Sequence, residues 1–348
     1  MCSMFHNGRR FSVLLLLTLI GCAPAQMEKV IFPPPPDEAR YEWLETISDS
    51  GDFRETGMKA VLKEVTGSTG DNYFYGPVDV VGNVDGRALV SDLYTQSIKA
   101  LDLENKTISD FSTYKFRNNI GIVVDQKGQV YVSDALARTV LVFSQNGSLL
   151  RRIGDKEIFA KPTYLALNEE LGRLYVSDVK EHNIKVFSMT GEYLFSFGEK
   201  GQAPDELYAP QGLAFDRTGR LFVADSLNAR IQVFSADGEY LDGFGERGLN
   251  PQQFEAPKSL SFDSEGHLYV VDARRNSFRV FDPDGTLLLV LGSKESSAHK
   301  LGFALPSAVH VDRFDRVFIT DLQGGRVTVW QYLSAEYRQR AQQQPQPK

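Results

Sequence analysis

The sequence predicts an all-β fold, a six-bladed β-propeller whose blades each hold four antiparallel strands, on three observations. A short run ending in aspartate recurs at Asp92, Asp134, Asp178, Asp225, Asp272 and Asp321, at spacings of 42, 44, 47, 47 and 49 residues. Six positions after each aspartate stands a branched or aromatic apolar residue: Ile98, Val140, Ile184, Ile231, Phe278 and Val327. Nine positions after it stands a large one: Leu101, Phe143, Phe187, Phe234, Phe281 and Trp330. Between these runs fall turns such as Thr218-Gly219 and Asp237-Gly238, which join strands into hairpins because glycine tolerates positive φ. A repeat of this length is one blade, and no repeat breaks the spacing.

The chain begins with a segment of another kind. Arg9 and Arg10 precede a mostly apolar run from Phe11 to Ile20, too short to span a bilayer and suited to a signal-peptide core. The run ends in Leu19-Ile20-Gly21-Cys22, which resembles the lipobox of bacterial lipoproteins. That resemblance implies a signal peptide over residues 1–21, acylation of Cys22, and, with Ala23 following, a lipid anchor in the outer membrane of the cell envelope. Several acyl chains on one residue suffice for stable anchoring. Arg9 and Arg10 are the only charges removed, so the net charge of -7 becomes -9 in the mature chain. Cys2 is the only other cysteine, so the folded body has no disulfide framework or cysteine metal cluster.

Residues 22–39 read as a lipid-anchored, proline-rich linker. Pro33 to Pro36 form either a stiff spacer or a strip along the side of the domain, and the sequence leaves both open. The propeller itself reads over residues 40–333. Its blades fall at about 76–111, 119–153, 162–198, 210–245, 257–292 and 306–333. The last repeat lacks a fourth strand after Trp330, and Tyr41-Glu42-Trp43-Leu44-Glu45-Thr46-Ile47 resembles the fourth-strand segment Glu192 to Gly198. Residues 40–48 are therefore expected to complete the last blade and to pair an otherwise open edge. Glu55 to Val65 reads as a short amphipathic helix, and residues 334–348 as a disordered polar tail.

Pro210 to Phe234 carries nearly the whole pattern of the NHL repeat: Pro-x-Gly, an apolar strand, then Phe222-Val223-Ala224-Asp225, Asn228, Arg230 and Ile231-x-Val233-Phe234. The other blades match in strands and depart in the loop. Arg275 and Ser277 replace Asn228 and Arg230 in blade five, Glu181 and Asn183 replace them in blade three, and Asn119 stands where other blades have proline. The chain from about 72 to 332 resembles an NHL-repeat propeller of the bacterial lipoprotein kind. The resemblance implies a fold far more than a function.

Six strand-end carboxylates invite a metal or catalytic reading. Spread one per blade they cannot converge on one ion, and the expected role of Asp92, Asp134, Asp178, Asp225, Asp272 and Asp321 is structural, accepting backbone N–H groups where strand becomes loop. At the channel mouth the residues opening each inner strand offer one acid, Asp79. Related lactonases and lyases need a ring of oxygens for Ca²⁺ or several histidines for Zn²⁺. His182, His267, His299 and His310 are scattered, and His310, on an inner strand, is expected to be a packed, hydrogen-bonded core residue. No catalytic residue, metal site or cofactor is expected.

Surface charge carries the functional expectation. Beyond the anchored aspartates, the loops between second and third strands hold Arg138, Lys180, Glu181, Arg230, Arg274, Arg275 and Arg326, a net of +5. The turns of the opposite face net -6, or -2 when Arg87, Arg173, Arg220 and Arg316 are counted. Arg138, His182, Asn228, Arg230, Arg274, Arg275 and Arg326, near aromatics such as Tyr94, Tyr208 and Phe254, are the candidate partner-binding residues. The expected function is a membrane-anchored envelope binding or scaffold module engaging a protein or an anionic ligand, with no nucleic-acid partner. The alternative is a metal-dependent lyase or lactonase. For the anchor, Cys22→Ser should abolish palmitate labelling and release or misprocess the protein; unchanged labelling would rule out the lipobox.

Overall fold

The computed structural model describes residues 30–34, 36–48, 73–84, 86–282, 284–292 and 302–343; Cys22, the stretch read as a signal peptide and the stretch read as a helix at Glu55–Val65 lie outside them. Six antiparallel sheets follow one another in chain order, and their inner strands pack side by side around one axis, the sixth against the first. Blade one runs from Pro77–Val84 to Thr107–Asp110, blade two from Asn119–Val124 to Leu149–Ile153, and blade three from Pro162–Asn168 to Tyr193–Phe197. Blade four runs from Pro210–Phe215 to Tyr240–Phe244, blade five from Pro257–Phe262 to Leu287–Leu291, and blade six from Pro306–Val311 to Arg326–Tyr332.

The core lies between blades. Ala166, Tyr175 and Val186 of blade three pack on Leu213, Leu221 and Val223 of blade four, and the same layering recurs around the ring. Inner strands approach closely. A Cβ on Gly121 would stand 2.4 Å from the Thr163 carbonyl oxygen, and one on Gly212 2.7 Å from that of Lys258, so only glycine fits there.

The ring closes by mixing the chain's ends. Strand β2 (Tyr41–Ile47) pairs antiparallel with Arg326–Tyr332, setting Tyr41 opposite Tyr332 and Ile47 opposite Val327. The Tyr41 hydroxyl reaches the Tyr269 hydroxyl of blade five at 2.9 Å, and Glu45 meets Lys106 of blade one at 2.8 Å. A further strand, β1 (Ile31–Phe32), pairs with β2 inside the stretch read as linker. The sheet therefore begins before residue 40, and this part of the linker is a strip along the blade.

The tail also departs from expectation. Ala335–Gln343 forms a helix, α1. Ser334 caps it by accepting the Tyr337 N–H at 3.2 Å and donating to Asp315, while Arg338 reaches back to Glu38 and the Ala39 carbonyl. Ala, Glu, Arg and Gln are strong helix formers, so the polar composition read as disorder is also that of a solvent-facing helix once it is capped. A chain starting at Gly51 lacks β1 and β2, each ladder bond of which contributes about 1 kcal/mol, and uncovers Trp330. It should melt well below the full chain or aggregate; an unchanged melting curve would show that the ring closes without the strap.

Candidate functional site on the loop face

Each strand-end aspartate is fully buried, and all but Asp272 bond with their carboxylates to both the loop before the blade and the loop after their own strand. Asp92 accepts the N–H groups of Tyr75 and Gly76 from the loop before its blade, and of Tyr94 and Thr95 from the loop after its own strand. Asp134 takes Arg117, Asn118 and Ala137 in the same way, and Asp178 takes Ala160, Lys161, Lys180 and Glu181. Asp272 accepts Glu255 and Ala256, and Asp321 accepts Ala304, Leu305 and Gly324. In blade four Asp225 takes the Tyr208 N–H, and His182 Nδ1 from blade three accepts the Ala209 N–H at 3.0 Å. Burial and nearby Lys200 lower the His182 pKa, which suits an acceptor nitrogen.

These anchors sort the candidate residues. Arg230 donates to Asp225 at 2.8 Å and to the carbonyls of Gln202, Ala203 and Glu206, pinning the loop between blades three and four. Asn228 spans Asp225 and the Gly201 carbonyl, Arg275 binds the Leu249 carbonyl, and Arg326 binds Asp321 and the Gly302 carbonyl. Phe254 is fully buried. Thus His182, Asn228, Arg230, Arg275 and Arg326 hold the loops in place. Arg138 and Arg274 make no side-chain hydrogen bond or ion pair among the described residues, and Arg274 stands exposed.

Sequence reasoning named Tyr94, Lys180 and Arg274 but passed over Leu136, Leu227 and Gln323, and with them the ring that the six tips form. Two positions beyond the aspartates stand Tyr94, Leu136, Lys180, Leu227, Arg274 and Gln323, all exposed. Tyr94 is 67% exposed, Leu136 60% and Leu227 44%, and Leu249 on the neighbouring inter-blade loop is 75% exposed. The signal was present as a fixed offset from the repeated aspartate. It goes unnoticed when loops are scanned for charge alone.

Along the axis the propeller is nearly closed. The Tyr164 hydroxyl of blade three donates to the Ser307 carbonyl of blade six at 3.2 Å, and a chamber of about 70 Å³ remains, lined among others by Asp79, Tyr164, Ser259 and His310. Asp79 accepts the N–H groups of Val80 and Ile122, yet burial pushes its pKa up to about 7, against those bonds and the pull of Lys258. Burial likewise moves Lys258 down to about 8 and His310 down to about 4. The His310 side chain lines this chamber and makes no hydrogen bond to the described residues, unlike the bonded core histidine the sequence suggests: its alternate position on the inner strand faces the axis. Among the described residues no three His, Cys, Asp or Glu gather as metal ligands. Ca²⁺ takes about six to eight oxygens and catalytic Zn²⁺ about three protein ligands, so one backbone-bonded carboxylate and one histidine do not fit either ion.

The NHL repeat model matches residues 207–234, the stretch holding Tyr208, Asp225, Asn228 and Arg230. The chain carries an NHL repeat. Its fold is similar to that of solved structures. A streptogramin B lyase matches at 12% identity over 74% of this chain and 93% of that one, with a TM-score of 0.54. A virginiamycin B lyase from Staphylococcus aureus matches at 9% identity over 84% and 99%, with a TM-score of 0.56. A gluconolactonase from Xanthomonas campestris matches at 18% identity over 74% and 86%, with a TM-score of 0.60. At such identities the likeness shows the fold alone. Among curated proteins none matches this sequence.

In this propeller burial of the axial carboxylate couples its ionisation to stability. A native pKa of about 7, above the ordinary 3.8, means that ionising Asp79 weakens the fold. The penalty is absent below the ordinary value and complete above the raised one. Asp79→Asn should therefore gain on the wild type, by on the order of 2–4 kcal/mol, as pH rises from about 4 to about 8. Urea unfolding of both proteins across that range tests it, and a difference that does not change with pH would refute it.

Proposed function

We propose that this propeller is a binding or scaffold module held in the cell envelope by a lipid on Cys22, and that it engages a protein partner through its loop face. The observation that carries the reading is the ring of six equivalent, solvent-facing tips, three of them Tyr94, Leu136 and Leu227, on loops whose backbones are fixed by buried carboxylates. Large apolar side chains displayed on rigid loops lose little freedom on binding, and they are the side chains that anchor interfaces. Lyase or lactonase activity, named for the solved neighbours, is the other reading. The donor set of the axial chamber does not supply it with a metal.

The test separates binding from folding. Leu136→Asp with Leu227→Asp should shift the melting temperature by no more than about 2 °C, since exposed substitutions contribute little to stability. The same pair should abolish cross-linked capture of the partner from intact cells. Glu169→Lys with Glu170→Lys on the turn face should leave capture intact. Arg230→Glu should instead unfold the protein more easily, by about 3 kcal/mol or more, because it strands the buried Asp225 carboxylate beside a second acid. Capture lost in the turn-face pair and kept in the tip pair would put the interface on the wrong side of the disc.

A further inference from the structure

Two rings of residues surround the axis on the loop face, and both hang from the same carboxylates. The outer ring is the set of tips two positions after each aspartate. The other lies seventeen positions before it: Tyr75, Arg117, Lys161, Tyr208, Glu255 and Ala304, each of whose backbone N–H binds that aspartate. Together the rings hold four cations, Arg117, Lys161, Lys180 and Arg274, against one acid, Glu255. All four cations are exposed, and among the described residues none has an ion-pair partner or a side-chain hydrogen bond.

On the turn face and the rim most arginines are held, though Lys127 and Arg313 stand exposed without an ion pair among the described residues. There Arg173 is held by Asp237 at 2.7 Å, Arg220 by Asp216 at 2.7 Å and Arg316 by Asp312 at 2.8 Å, while Lys99 pairs with Asp110. In a chain of net charge -7 with carboxylates to spare, cations left unpaired on one face and interleaved with Tyr94, Leu136 and Leu227 form a surface complementary to acids and aliphatic groups together. The Tyr164 hydroxyl reaches across the axis to blade six, so an occupant of this face lies across the mouth.

We propose that the loop-face mouth takes an acidic protein segment, its Asp and Glu carboxylates paired by Arg117, Lys161, Lys180 and Arg274 and its aliphatic side chains seated among Tyr94, Leu136 and Leu227. This rests on the loop-face reading above and names the chemistry of its partner. A protein segment suits the rings better than an anionic bilayer, because a short segment meets only this cationic mouth whereas an extended anionic surface also meets the net negative charge of the whole body.

A fluorescein-labelled peptide of alternating Glu and Leu is the probe, its Gln-for-Glu counterpart the control, and phosphatidylglycerol vesicles the third arm. The full-length protein should bind the acidic peptide with an affinity that falls as salt is added, and the Gln peptide at least tenfold more weakly, since charge-assisted pairing carries the attraction. Arg117→Gln, Lys161→Gln and Arg274→Gln together should weaken acidic-peptide binding at least tenfold at an unchanged melting temperature. Lys127→Gln on the turn face should not. Equal binding of the two peptides, no binding of the acidic one, or indifference to the triple substitution would overturn the proposal. Vesicle binding without peptide binding would assign the surface to lipid instead. Failure of the peptide alongside loss of partner capture in the tip variants would sink the acidic segment and leave the loop-face reading standing.

Discussion

A buried carboxylate at the end of each second strand is the interaction on which this molecule depends. In water it would be solvated; at zero exposure it must be bonded, and the donors it finds are chiefly backbone N–H groups of the loops that cross above it, joined in three blades by an arginine side chain. Every aspartate but Asp272 therefore fastens the connection from the preceding blade to the loop within its own blade. Loops, ordinarily the loosest part of a β fold, are here bonded to the ends of the strands. Where the sequence drifts, the bonding is kept by substitution: His182 supplies an acceptor to Ala209, and Arg230 and Arg326 add donors to Asp225 and Asp321.

That constraint governs what the two faces and the axis can do. The same carboxylates that hold the loops also set the spacing of everything the loops display, so the tips form a ring by construction. The axis is tight because glycines at 121 and 212 let inner strands approach, and because Tyr164 reaches the opposite blade. A small chamber with a lone carboxylate follows. Its chemistry is that of a desolvated group in a packed core, visible in the raised Asp79 and lowered His310 pKa values.

The ring is held shut by both ends of the chain. Tyr41, Tyr269 and Tyr332 meet at the junction of blades five and six, and Glu265 binds both the Tyr332 hydroxyl and the first N–H of α1. The strap and the terminal helix thus share one polar cluster.

The sequence by itself determined the fold, because strand alternation and a buried aspartate recur in every blade and a local pattern repeated six times leaves little freedom in architecture. It also determined the strap, since Tyr41 to Ile47 reads as the strand that Trp330 lacks. What only the tertiary structure decided was which polar residues are spent inside the molecule. Arg230 and Arg274 look alike in sequence, both a few positions past an aspartate, yet one lies along the Gln202, Ala203 and Glu206 carbonyls and the other faces water. His310 and the helical tail were hidden for the same reason. A side chain's bonding depends on what the next blade or the far end of the chain brings beside it, and that proximity exists only once the ring has closed.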